Sequence, residues 1–113
     1  MEPTKNQLIG FPTSEGFVVL SISEITYLES DANFSRVYTS EGVWHLITRQ
    51  LKQLEQNLPN PIFFRAHRRY LVNKLFVINY NKKDSQLIMR GGGAIPVAVR
   101  KRKALAEAFG VVS

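Results

Sequence analysis

Apolar and polar positions alternate in short runs along most of this 113-residue chain, a two-residue period that predicts strands. Residues 8–11 and 17–20 read as strands about a turn at 12–16. Ile22-Ser23-Glu24-Ile25 is too short for a stable helix and reads as a single turn leading into a strand over 26–29. Asp31-Ala32-Asn33 interrupts, because Asp and Asn favour turns. Strands resume at 34–38 and, beyond the hairpin turn Ser40-Glu41-Gly42, at 43–47. Later strands fall at 63–66, 70–72, 75–79, 85–89 and 94–97, with turns at 81–84 and at Gly91-Gly92-Gly93.

Two segments carry a helical period instead. Over 49–58, Leu51, Leu54, Glu55 and Leu58 recur at i, i+3, i+4 and i+7, and the three leucines form an apolar stripe. Thr48 is the expected N-cap, and Pro59-Asn60-Pro61 the stop. A closing helix is expected over 99–109, followed by Gly110 at C′. Parallel pairs need long crossovers, and two helices cannot supply enough of them. The expected fold is therefore mainly β and antiparallel. It forms one domain over 8–110, with 1–7 a tail or linker remnant and 111–113 a tail.

The segment 63–73, FFRAHRRYLVN, changes the picture most. Alternation gives Arg65, His67 and Arg69 one parity and Phe64, Ala66, Arg68 and Tyr70 the other. One set is expected to buttress a core while the other offers cations to an anionic partner. Charge along the chain agrees. Residues 1–64 carry four Lys/Arg against seven Asp/Glu, whereas 65–113 carry eleven against two, and the whole chain is +6. Such asymmetry steers polyanions.

Chemistry has little else to stand on. With no cysteine, disulfides, zinc-thiolate sites and thiol catalysis are excluded. His45 and His67 have no nucleophile or metal-ligand spacing, so neither an enzyme nor a metal or cofactor site is expected. His67 is expected to hydrogen-bond to backbone and fix the turn after it. Gly91-Gly92-Gly93 lacks the Gly-Lys-Ser/Thr ending of a phosphate loop and leads into a strand. No apolar stretch approaches the roughly 20 residues of a membrane span, and no signal-peptide core opens the chain, so a cytoplasmic protein is expected. Phe34, Tyr38, Trp44, Phe63, Phe64 and Tyr70 are expected in the core; bases stacked on them would point to single-stranded RNA instead. Arg100-Lys101-Arg102-Lys103 opens the closing helix, where the macrodipole opposes cations and an anionic partner relieves them.

The order IxYLESDANFSRVYT, LKQLEQNL, FFRAHRRYLVN and IPVAVRKRKAL resembles the LytTR-type DNA-binding domain over about residues 11–109. The resemblance implies an elongated fold of about ten strands in three mostly antiparallel sheets with two short helices. It implies a bacterial transcription regulator, either the output domain of a two-component response regulator behind a receiver domain or a stand-alone regulator. Loop side chains of this family enter successive major grooves of double-stranded promoter DNA, commonly at imperfect direct repeats, and homodimerisation on DNA is compatible with it. Transferred position by position, Asn33, Ser35, Arg68 and Arg100 are base-contact candidates. Arg36, Arg69, Lys74, Lys101 and Lys103 are phosphate-contact candidates. Two departures stand out: Arg69 replaces a small hydroxyl residue, and Ala98-Val99-Arg100 lacks the usual Ser/Thr before the arginine. A protein-interaction or anionic-ligand module on the same fold is the alternative expectation.

Overall fold

The computed structural model describes residues 6–113, so most of the tail assigned to 1–7 lies outside the described residues. Ten strands build three sheets in which every neighbouring pair is antiparallel. Strands β1 (Leu8–Thr13) and β2 (Gly16–Ser21) form a hairpin. The central sheet runs β5-β4-β3-β7-β6, from β3 (Ile25–Asp31), β4 (Phe34–Thr39), β5 (Trp44–Ile47), β6 (Phe63–His67) and β7 (Tyr70–Asn73). The third sheet runs β10-β9-β8, from β8 (Val77–Asn81), β9 (Gln86–Met89) and β10 (Ala94–Pro96). With α1 (Leu51–Asn57) and α2 (Arg102–Ala108), the particle measures 46 × 33 × 25 Å, elongated as the resemblance implied.

Two cores flank the central sheet. On one face Leu28, Val37 and Leu71 meet Phe11 and Leu20 of the hairpin and the leucine stripe of α1. Leu51, Leu54 and Leu58 are all buried, each contributing about 1.5–3 kcal/mol. On the other face Val72 and Phe64 pack with Leu87, Met89, Ile95 and Leu105 from the third sheet and α2. Asn73, fully buried at the end of β7, donates from Nδ2 to the carbonyls of Ile22 and Ile25 and accepts the Leu75 N–H. It ties the end of β7 to the turn that enters β3.

Several local expectations change. Helix α1 starts at Leu51 behind Gln50, whose N–H donates to Gln53 Oε1, because Thr48 is drawn away to the Pro12 carbonyl. Residues 99–109 divide into a 3-10 turn, Val99–Lys101, and α2. Neither start has a side-chain cap, as the missing hydroxyl foretold. Gly110 does sit at C′ with φ 59°, and the Gly110 and Val111 N–H groups close a Schellman motif on Glu107 and Ala106. Among the six aromatics assigned to the core, Phe34 and Trp44 remain 41% and 45% exposed, at the β4–β5 end of that face beyond the packing of the second core.

Candidate nucleic-acid interface

The β3–β4 turn is built by Ala32, at φ 53°, and by Arg36 Nε donating to Asp31 Oδ2 at 2.9 Å. The Arg36 guanidinium also lies 4.5 Å from the Trp44 ring centroid, a cation–π contact that holds it against the sheet. Asn33 projects from this turn, exposed, with Gln50 Nε2 at 3.4 Å from its Oδ1. Ser35 does not project. It has no exposed surface, and its hydroxyl donates to the Arg49 carbonyl at 2.8 Å, so it shapes the turn and cannot meet a base directly. That corrects its place among the base-contact candidates.

The β6–β7 turn is more heavily organised. A bulge between Arg65 and His67 breaks the expected parity: Arg65 lies opposite Leu71, whereas His67 lies opposite Tyr70. Arg65 is therefore not an offered cation. Its Nε donates to the His67 carbonyl at 3.0 Å, its Nη2 to the Arg68 carbonyl, and its Nη1 to Glu55 of α1 at 2.7 Å. One planar guanidinium thus ties the turn's carbonyls to the helix, a geometry that suits a fork of donors. His67 Nδ1 accepts the Arg69 N–H at 3.1 Å, fixing the turn as expected. Burial, then the charges of Arg68, Arg69, Arg100 and Arg65, holds the His67 pKa below its ordinary value, so the ring stays neutral and keeps accepting. Arg68 and Arg69 point outward, exposed.

Arg100, distant in sequence, is among the charges that lower the His67 pKa. The Ala98 N–H donates to the Ala66 carbonyl at 2.9 Å, joining the entry of the closing helix to the bulge of β6. The Ser30 N–H donates to the Arg69 carbonyl at 2.8 Å, joining the same turn to the far end of β3. Arg68, Arg69 and Arg100 therefore share one region, and β3 links it to the Asn33 turn. Lys103 is exposed and Lys101 partly covered. Lys74 is differently employed: its Nζ donates to the Ala108 carbonyl at 2.6 Å and lies 5.2 Å from the Phe109 ring, securing the C-terminal end of α2.

Sequence reasoning overlooked the supports of these turns. Glu29 of β3 accepts from Tyr38 Oη at 3.0 Å and Tyr70 Oη at 2.8 Å, and the Tyr70 ring lies 5.9 Å from that of His67. Burial, reinforced by the neighbouring Tyr38 and Glu29, pushes the Tyr27 phenol up to about 12. The polar parity of Glu29 against Tyr27 was the one available signal. Among the described residues no cluster of His, Asp and Glu could hold a metal, and no helix is long and apolar enough to cross a membrane.

Comparison with known proteins agrees with this architecture. The model of the LytTr DNA-binding domain matches residues 15–110. The chain is 29% identical over 115 aligned positions to the transcriptional regulatory protein BtsR of Escherichia coli, covering 96% of this chain and 47% of that protein. It is 35% identical over 97 positions to a response regulatory protein of Yersinia pestis, covering 82% of this chain and 39% of the other. The chain thus spans less than half the length of these relatives. A solved LytTr DNA-binding domain from a Bacillus cereus response regulator superposes with a TM-score of 0.76 at 24% identity, covering 91% of this chain and 96% of that one. That likeness shows the shared fold, and the family match goes further: the chain belongs to the LytTR family of DNA-binding domains.

Proposed function

We propose that this domain, residues 8–110, binds double-stranded promoter DNA sequence-specifically and regulates transcription without enzymatic chemistry. The observation that carries the reading is that the Arg68–Arg69 turn and the 3-10 turn of Arg100 are joined by the Ala98–Ala66 backbone bond, with none of the three arginines paired with a carboxylate among the described residues. Three uncompensated guanidiniums disfavour one another, and a phosphate backbone relieves that repulsion.

In this reading Asn33, Arg68 and Arg100 address base edges, and Arg36, Arg69, Lys101 and Lys103 hold phosphates. Ser35 acts from beneath the first turn. Lys74 contributes least, because its ammonium already serves α2. An arginine can pair bidentately with guanine O6 and N7, worth about 1–3 kcal/mol of discrimination. Rigid turns suit that role, since a pre-ordered side chain loses little entropy on binding. The relatives, one named a transcriptional regulatory protein and one a response regulatory protein, support an output role in regulation; in this reading the domain works in the cytoplasm behind a receiver domain, with two copies meeting on direct repeats.

Selection from a random double-stranded library tests the proposal. A repeated motif should emerge, and the selected duplex should bind far more tightly than its scramble at every salt concentration. Equal affinity for both, falling steeply with salt, would leave only a basic surface.

A further inference from the structure

On the side of α2 turned toward the third sheet lies a cleft of about 340 Å³ that the DNA reading does not use. Its lining is mostly apolar, from Val77, Ile78, Leu87, Leu105, Phe109 and Val111. Leu87 and Leu105 are buried, whereas Ile78 and Val111 remain 54% and 66% exposed. The polar lining includes Arg102 and Tyr80. Tyr80 Oη lies 3.2 Å from Ser85 Oγ, and Arg102 Nε points at the same hydroxyl at 3.4 Å. Arg102 forms no ion pair with a carboxylate among the described residues; the nearby Asp84 is engaged with Asn81.

An apolar cleft of small-molecule size with one cation beside a hydroxyl cluster defines its occupant by chemistry. We infer that this cleft binds a small amphipathic carboxylate, its apolar body between β8 and α2 and its carboxylate on the Arg102 guanidinium near Tyr80 and Ser85. Charge complementarity argues for an anion. A neutral apolar ligand would leave the guanidinium unanswered, and a cationic one would meet it as a like charge. The volume argues for a small molecule and not a helix or strand of another protein, which needs a longer groove. The site stands on residues distinct from the base-contact candidates, so it can be tested without DNA.

Decanoate and its methyl ester are the probes, titrated into the isotope-labelled full chain and followed by amide NMR shifts. Decanoate should produce saturable shifts confined to β8, β9 and α2. Ala106→Trp, an exposed cleft-lining position, should abolish them while leaving the thermal midpoint unchanged. Arg102→Gln should weaken decanoate by about tenfold and leave the ester unaffected. Shifts scattered over the surface, or persisting in Ala106→Trp, would overturn the site. Equal binding of acid and ester by the wild type would overturn the role of Arg102. A wild-type dimer in sedimentation that Ala106→Trp converts to monomer would assign the cleft to a second copy of the chain instead.

Discussion

The Ala98 N–H donates to the Ala66 carbonyl across 2.9 Å, and this one backbone bond joins two arginine clusters far apart in sequence. Ala66 precedes the His67 turn that carries Arg68; Ala98 precedes Arg100. Ala98 has φ −62°, a value proline also adopts, so Ala98→Pro suits the local φ while it removes the donor and sets a ring carbon against the Ala66 carbonyl. We predict that the variant loses more stability than the about 0.5–1.5 kcal/mol of one hydrogen bond, and loses more affinity for the selected duplex than for a scrambled one. Chemical unfolding and anisotropy titration with both duplexes check this. Parallel losses on the two duplexes would show that the bond does not set the register of recognition.

Arg68 and Lys103 separate reading from positioning. Arg68→Ala should cost about 1–3 kcal/mol on the selected site alone and relax preference at one base pair. Lys103→Ala should weaken every duplex alike and flatten the salt dependence by about one phosphate contact. The comparison needs only the two duplexes across a range of salt. Identical behaviour of the two variants would dissolve the division of roles.

Arg65 offers the opposite contrast, charge without contact. Its guanidinium is spent on two turn carbonyls and Glu55, so Arg65→Lys should fail nearly as badly as Arg65→Ala although it keeps the charge. Each should lower affinity for the selected duplex by about tenfold, or about 1.4 kcal/mol, with the salt slope unchanged. Full rescue by lysine, or a slope reduced in Arg65→Ala only, would mean that Arg65 meets phosphate after all.

His67 makes stability depend on acid. Its folded pKa lies below the ordinary histidine value, chiefly through burial and then through the surrounding arginines. The unfolded chain therefore takes up the proton first as pH falls. Stability is complete above about pH 6.5, the unfolded value, and declines below it until the folded pKa is passed. Urea unfolding from pH 8 to 5 should show this decline, and His67→Gln should flatten it in that window. An unchanged slope in His67→Gln would place the responsible group elsewhere.

How far the sequence reaches depends on the kind of interaction. The α1 stripe, the positions of most strands along the chain and the Gly110 cap were legible because period and local propensity determine them. Burial of Ser35 and the bulge at Ala66 were not, because each depends on a partner strand set only by the assembled sheet. The same limit hid Arg65. A guanidinium in a basic run reads as an offered cation until the carbonyls of His67 and Arg68 and the carboxylate of Glu55 are brought around it. Trp44 shows the converse, an aromatic in an alternating strand whose face is left open and shielded by Arg36. Motif order pointed to the candidate turns; only the folded chain distinguishes exposed side chains from those that hold the turns.

The central claim is that arginines on ordered turns read guanines through the major groove. Methylation interference at guanine N7 on the selected duplex tests it most directly, since that atom is one of the two acceptors a bidentate arginine uses. Methylated guanines should block binding in two successive major grooves on one face of the duplex, and one of those signals should vanish for Arg68→Ala. Binding indifferent to N7 methylation throughout the site would contradict the account.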